Sequence, residues 1–169
     1  MDEAQFWSLI DESAAKAGGN PNAQLAVLKR LLRKLPPEEV AQFDRHFDQK
    51  VVDAYDWSLW GAAYLINGGC SDDGFAYFRA WLVSRGREVY TAALDNPDTL
   101  AAVVDPGRDD YEFEEAWYVG RTVYEELAGQ QLPRSSVKQR SRPRGRNWDF
   151  DNEVQVAKRF PALSALYQR

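Results

Sequence analysis

Apolar residues recur at helical spacing along most of this chain. Phe6, Leu9, Ile10 and Ala14 fall at i, i+3, i+4 and i+8, the mark of one buried helical stripe. Asp2 with Gln5 three residues later fits a capping box for that helix, and Gly18-Gly19 fits its end. Asn20-Pro21 reads as a cap followed by proline in the first turn, opening a helix whose stripe is Leu25, Leu28, Leu32 and Leu35. Pro36-Pro37 stops it and starts the next, which buries Val40, Phe43, Phe47 and Val51. Asp56 caps a Trp-rich helix from Trp57 to Ile66, and Asn67-Gly68-Gly69 forms its C-terminal turn. Ser71 caps another, with Phe75, Phe78 and Leu82 inward and Gly86 after its end. Short helices follow at 87–94 and 98–103, and a loop at 104–110. The clearest helix is 112–128, where Phe113, Ala116, Trp117, Gly120, Val123, Tyr124 and Leu127 hold the spacing throughout. A mid-helix glycine costs about 1 kcal/mol against alanine, and close approach of a neighbouring helix is a reason to keep Gly120.

Residues 129–147 break the pattern. They have no apolar period, contain two prolines and carry no Asp or Glu. The segment reads as a basic flexible loop, mobile or ordered by a partner. Residues 148–169 are again rich in apolar positions, including Trp148, Phe150, Val156, Phe160 and Leu163, and are expected to dock on the core. No stretch alternates at period two. The expected fold is all-α: a single-domain bundle of seven to nine helices over 1–128, with a long basic loop and a C-terminal docking tail.

Bulk properties narrow the class. The 169 residues suit one domain, and 44% hydrophobic with 28% charged is ordinary globular composition. One cysteine makes no internal disulfide, and a lone histidine, His46, argues against a structural zinc site. The acidic N-terminus lacks an export pattern and no apolar run is long enough for a membrane span, so a cytoplasmic protein without membrane partners is expected. The net charge of −5 gives no global attraction to nucleic acid.

The most distinctive stretch runs from Asp56-Trp57-Ser58-Leu59-Trp60 through Gly68-Gly69-Cys70-Ser71-Asp72-Asp73-Gly74-Phe75 to Phe78-Arg79-Ala80-Trp81. With Phe6-Trp7, Leu59 to Tyr64, Gly86-Arg87 and Asn96-Pro97 to Leu100, it resembles the bacterial domain-of-unknown-function 4240 family over roughly the first 130 residues. The resemblance implies a helical bacterial domain and supplies no reaction.

Three groups of residues carry candidate chemistry. Asp72 and Asp73 stand in the first turn of a helix, where carboxylates favour the dipole, so helix capping explains them without a ligand. They also stand beside an aromatic helix, with Arg79 two turns up the same face. This makes Asp72, Asp73 and Arg79 polar anchors of a candidate ligand site, with Trp60 as an apolar wall. Trp57, Trp60 and Tyr64 share one helical face, a spacing typical of core. Cys70 lies near a helix N-terminus but has no histidine near it in sequence, so a buried, inert thiol is expected over a Cys-His nucleophile. Arg134, Lys138, Arg140, Arg142, Arg144 and Arg146 form the third group. Arginine-rich segments bind phosphate backbones, with Arg140, Arg142, Arg144 and Arg146 as the nucleic-acid candidates. The acidic run Asp109, Asp110, Glu112, Glu114, Glu115, Glu125 and Glu126 offers the loop a partner within the chain, and a loop lying against it or staying solvated is expected over one that binds nucleic acid.

The expected function is a binding or regulatory module acting through protein contacts. A nucleic-acid-associated protein using the Arg-rich loop is the first alternative. A metal-dependent hydrolase using Asp72 and Asp73 is the second. No nucleophile–base pair, cofactor motif or metal-ligand spacing is visible, so no catalytic residue, metal or cofactor is assigned and an enzyme is not the favoured class.

Overall fold

Local capping chemistry and helix-opening prolines set the first five helices. In the computed structural model, which describes residues 1–108 and 110–167, Asp2 accepts from the Gln5 amide at 2.8 Å while the Gln5 side chain accepts from the Asp2 amide. This capping box opens α1 (Glu3–Ala17), which Gly18 ends in the left-handed conformation. Asn20 caps α2 (Pro21–Leu32), with proline in the first turn. Proline also opens α3 (Pro37–Asp53). Asp56 caps α4 (Trp57–Ile66) through the Ser58 and Leu59 amides. Ser71 caps α5 (Asp72–Ser84) through the Gly74 amide. Then come α6 (Arg87–Asp95), a 3-10 helix (Pro97–Ala102) and α7 (Glu114–Ala128). The tail adds α8 (Glu153–Arg159) and α9 (Pro161–Tyr167), two short helices its sequence did not announce. Among the described residues there is no strand, so the fold is an all-α bundle.

The most extensive helix pairs are α3 with α7 and α1 with α2, while α5 touches α1, α3, α4, α6 and α7. One apolar cluster runs through them, with Phe6, Phe43, Phe47, Phe75, Phe78 and Trp81 fully buried. The close approach expected at Gly120 is present: a Cβ there would lie 3.0 Å from the Asp44 Cβ and 3.2 Å from its Cα. The expected start of α7 at Glu112 moves to Glu114. Tyr111 and Phe113 are spent on long-range bonds, their amides donating to Asn67 Oδ1 and to the Tyr77 carbonyl.

The tail packs on the core as expected. Phe160 and Leu163 are fully buried, and α9 lies against α4 and the 3-10 helix. Trp148 fills the space left by the missing side chain of Gly61 and donates its indole N–H to the Trp57 carbonyl at 3.2 Å. Phe150 lies over Trp57, Trp60 and Tyr64, with centroids 5.5–6.4 Å apart, so the tail covers part of that aromatic face and leaves the three rings half-buried at the edge of the core rather than inside it.

Residues 129–147 form neither helix nor strand ladder, but both ends are fastened. Leu132 packs on the core and Pro143 is buried. Arg144 forms an isolated parallel bridge with Asp56: its amide donates to the Tyr55 carbonyl at 2.8 Å and its carbonyl accepts from the Trp57 amide at 3.0 Å. Its guanidinium donates to the Asp53 carbonyl at 2.6 Å. No helix of the described residues is long and apolar enough to cross a membrane.

Candidate functional site

The stretch 131–143 behaves as a strap between these two anchors. Among the described residues its only hydrogen bond is internal, from the Val137 amide to Ser135 Oγ at 3.3 Å. Between the strap and the helices lie three open clefts of about 800, 480 and 190 Å3, and Gln139 lines all three.

The smallest cleft gathers three of the four ligand-site candidates and one of the four nucleic-acid candidates. Asp72, Asp73 and Arg79 from α5 line it with Tyr55 from the α3–α4 connection, and Arg140 reaches it from the strap. Two candidate sets that sequence kept apart therefore meet in one place. Arg79 is only 8% exposed. Its Nη1 donates to the Val51 carbonyl at 2.7 Å and its Nε to the Phe75 carbonyl at 3.3 Å. Its guanidinium lies 4.5 Å from the Tyr55 ring centre and 5.0 Å from that of Phe75. These contacts hold a buried charge that has no carboxylate within ion-pair distance among the described residues. Burial accordingly pushes the guanidinium down to about 10, with Tyr55 and Asp72 pulling the other way. The Tyr55 hydroxyl reaches Asp72 Oδ1 at 3.5 Å.

Trp60 is not brought to this cleft. Its ring is stacked between Trp57 at 5.2 Å and Phe75 at 4.9 Å, and its indole N–H donates to the Cys70 carbonyl at 3.0 Å. Tyr55 supplies the aromatic wall instead. Cys70 is partly buried, and its thiol is pushed up to about 12, by burial first and Glu112 second. His46 is engaged elsewhere, 3.2 Å from the Met1 carbonyl and against the Phe6 ring, so no Cys-His pair forms.

The largest of the three clefts rests on residues that sequence reasoning either passed over, as with Asp48, Tyr118 and Arg121, or read only as helix stripe and acidic run, as with Trp117 and Glu125. Its floor is Asp48 on α3 with Trp117, Tyr118, Arg121 and Glu125 on α7. The Trp117 indole N–H donates to Asp48 Oδ1 at 2.7 Å, and the Trp117 and Tyr118 rings lie parallel at 5.9 Å. One turn before Asp48 is Asp44, buried against Gly120, whose carboxyl is raised to about 7 by burial and by the charge of Asp48. A signal existed: Val40, Asp44 and Asp48 follow at i, i+4 and i+8, so both acids run along the apolar stripe rather than opposite it.

The strap cations are exposed, and none pairs with a carboxylate within 4.0 Å among the described residues. They form no ion pair with the acidic run and stand exposed to solvent, the other of the two expected states. Glu126 of that run pairs with Arg33 at 2.9 Å, and Asp109 lies outside the described residues. Arg144 differs from Arg140, Arg142 and Arg146 in being tied to the α3–α4 connection, which makes it an anchor. No group of three or more His, Cys, Asp or Glu among the described residues is placed to hold a metal ion.

The model of the family described as "Protein of unknown function (DUF4240)" matches residues 1–126, so the chain belongs to that family. No curated protein matches the chain, and no solved structure does. The matched region contains every helix residue that floors the clefts and ends before the strap.

Proposed function

We propose that this family member is a binding domain that acts through protein contacts, with the cleft of Tyr55, Asp72, Asp73 and Arg79 as its recognition site. The observation that carries the reading is the Arg79 guanidinium, buried without a carboxylate partner at the wall of an open cleft. A buried charge ordinarily sits in an ion pair, because desolvating it alone costs several kcal/mol, on the order of the pair's own attraction. Here carbonyls and aromatic faces meet part of that cost and leave donor capacity for an incoming acceptor. Arginine and tyrosine beside a pocket are also the residue types that concentrate binding energy in protein interfaces.

A displayed random-peptide library panned against the full chain tests this. Selected peptides should bind wild type and lose about tenfold or more in affinity on Asp72→Asn/Asp73→Asn and on Arg79→Lys, with far-UV circular dichroism at the binding temperature showing that each variant is folded. Peptides indifferent to all three substitutions would overturn it.

A second reading rests on the exposed strap cations. Arg140, Arg142 and Arg146, with Arg134 and Lys138, are free of carboxylate partners among the described residues and form a continuous basic segment. If they serve nucleic acid, log affinity for single-stranded RNA falls with log salt by about 0.7 per phosphate contacted. No binding at low salt would dismiss it. The metal-dependent hydrolase reading gains no support, since Asp72 and Asp73 have no further ligands grouped with them among the described residues.

A further inference from the structure

The strap lies over a floor of opposite character. Residues 129–147 hold six Lys and Arg and no acid, so with a chain total of −5 the other residues carry −11. The floor presents four carboxylates, Asp48, Glu125, Asp72 and Asp73, against two cations, Arg79 and Arg121, together with the ring faces of Trp117, Tyr118 and Tyr55. Carboxylates beside aromatic faces are the chemistry that receives lysine and arginine side chains. Arg134, Lys138, Arg140 and Arg142 line the same clefts from above. Yet they make neither ion pair nor hydrogen bond to the helices among the described residues, and about 800, 480 and 190 Å3 stay open between strap and floor. Between its two anchors the segment thus makes neither ion pair nor hydrogen bond to the helices among the described residues.

We infer that the floor is a docking surface for an extended, cationic segment of a partner protein, and that residues 131–142 of this chain are its resident occupant, displaced when the partner binds. This rests on the protein-contact reading above and adds the partner's chemistry and the competition. A doubly anchored segment works at an effective concentration in the millimolar range, so even a loose hold excludes a weak competitor. If the strap leaves the floor open about one tenth of the time, a competing segment binds about tenfold more weakly than to a bare floor. The floor lies within residues 1–126 and the strap beyond them, so occupant and surface are separate parts of the chain.

The test uses a fluorescent synthetic peptide of residues 131–143 as probe. Its affinity is measured for the full wild-type chain and for the full chain carrying Arg134→Gln, Lys138→Gln, Arg140→Gln and Arg142→Gln. These side chains are exposed and unbonded, so melting should be unchanged, and melting is recorded as the folding control. Binding about tenfold tighter to the neutralised chain is expected, together with loss of that gain when Asp72→Asn, Asp73→Asn and Glu125→Gln are added. Equal affinity for the two chains overturns the proposal, as does a gain that survives removal of the floor carboxylates. So does single-stranded RNA bound by wild type more tightly than the peptide and released by the four substitutions, which would assign the cations to a polyanion. If library peptides still require Asp72 and Asp73 while strap neutralisation changes nothing, the cleft stands as a binding site and only the competition falls.

Discussion

Asp44 packs against the backbone of another helix where a surface acid would meet water. Its neighbours are Asp48 one turn along α3 and Gly120 and Arg121 of α7. Burial and the Asp48 charge raise its carboxyl to about 7, with Arg121 opposing, against about 3.9 in an unfolded chain. Between those values the folded state keeps a proton that the unfolded state has lost. The linkage then runs opposite to that of an ion-paired aspartate: the contribution of this carboxyl to stability is most favourable at and below about pH 4, falls as pH rises towards 7, and is lower by up to ~4 kcal/mol above it. Asp44→Asn carries the neutral form at every pH. Urea midpoints at pH 5 and pH 8 should therefore separate for wild type and nearly coincide for Asp44→Asn, with the variant the more stable at pH 8. Equal pH dependence in the two proteins would show that the carboxyl ionises without cost. The same burial explains what sequence could not say of Arg79. Its two-turn spacing from Asp72 was legible, but the Tyr55 ring and the Val51 carbonyl that let it stay charged inside come from another helix and a connection.

Elements whose ends are set by neighbours in sequence were legible; elements set by distant chain were not. Asp2 with Gln5, Asn20 with Pro21, Asp56 and Ser71 each act within three residues, and each caps the helix its position predicts. The start of α7 was misplaced because Tyr111 and Phe113 bond to Asn67 and Tyr77, far away in sequence. The tail shows the same limit. Its apolar content announced docking, but not that Trp148 would occupy the place of a Gly61 side chain on α4. That contact gives a direct test of how the tail is seated. A methyl group on Gly61 would overlap the Trp148 ring, and the tail is the part able to move. Overpacking of this kind costs about 1–3 kcal/mol, partly offset by about 1 kcal/mol from the better helix propensity of alanine. Gly61→Ala should leave α1–α7 folded while amide exchange speeds up across 148–167. Unchanged exchange in that stretch would place Trp148 elsewhere in solution.

Considered whole, the chain divides by chemistry at Ala128 more sharply than it divides by packing. Residues 1–126 match the family, 129–147 are basic, and 148–167 are apolar again. Sequence alone suggested a core with two appendages. The packing makes the tail part of the core: Val156, Phe160 and Leu163 belong to the same buried cluster as the helices of the matched region, and Phe150 lies over the half-buried Trp57–Trp60–Tyr64 face. Burying a side chain of this size contributes about 1.5–3 kcal/mol, so the three together contribute roughly 5–9 kcal/mol. A whole domain is stable by only about 5–15 kcal/mol. A fragment of residues 1–128 should therefore be close to unfolding at room temperature, bind a hydrophobic dye, and melt with little cooperativity. Adding residues 148–169 as a separate peptide should restore part of the melting transition, because their contacts with α4 and the 3-10 helix need no covalent link. If the fragment melts within a few degrees of the full chain, the matched region is self-sufficient and the tail merely covers it. If it does not, strap and tail have different roles. The tail completes the fold, and the strap, which joins it to α7 with no hydrogen bond of its own to the helices among the described residues, is the part the molecule can move without losing its core.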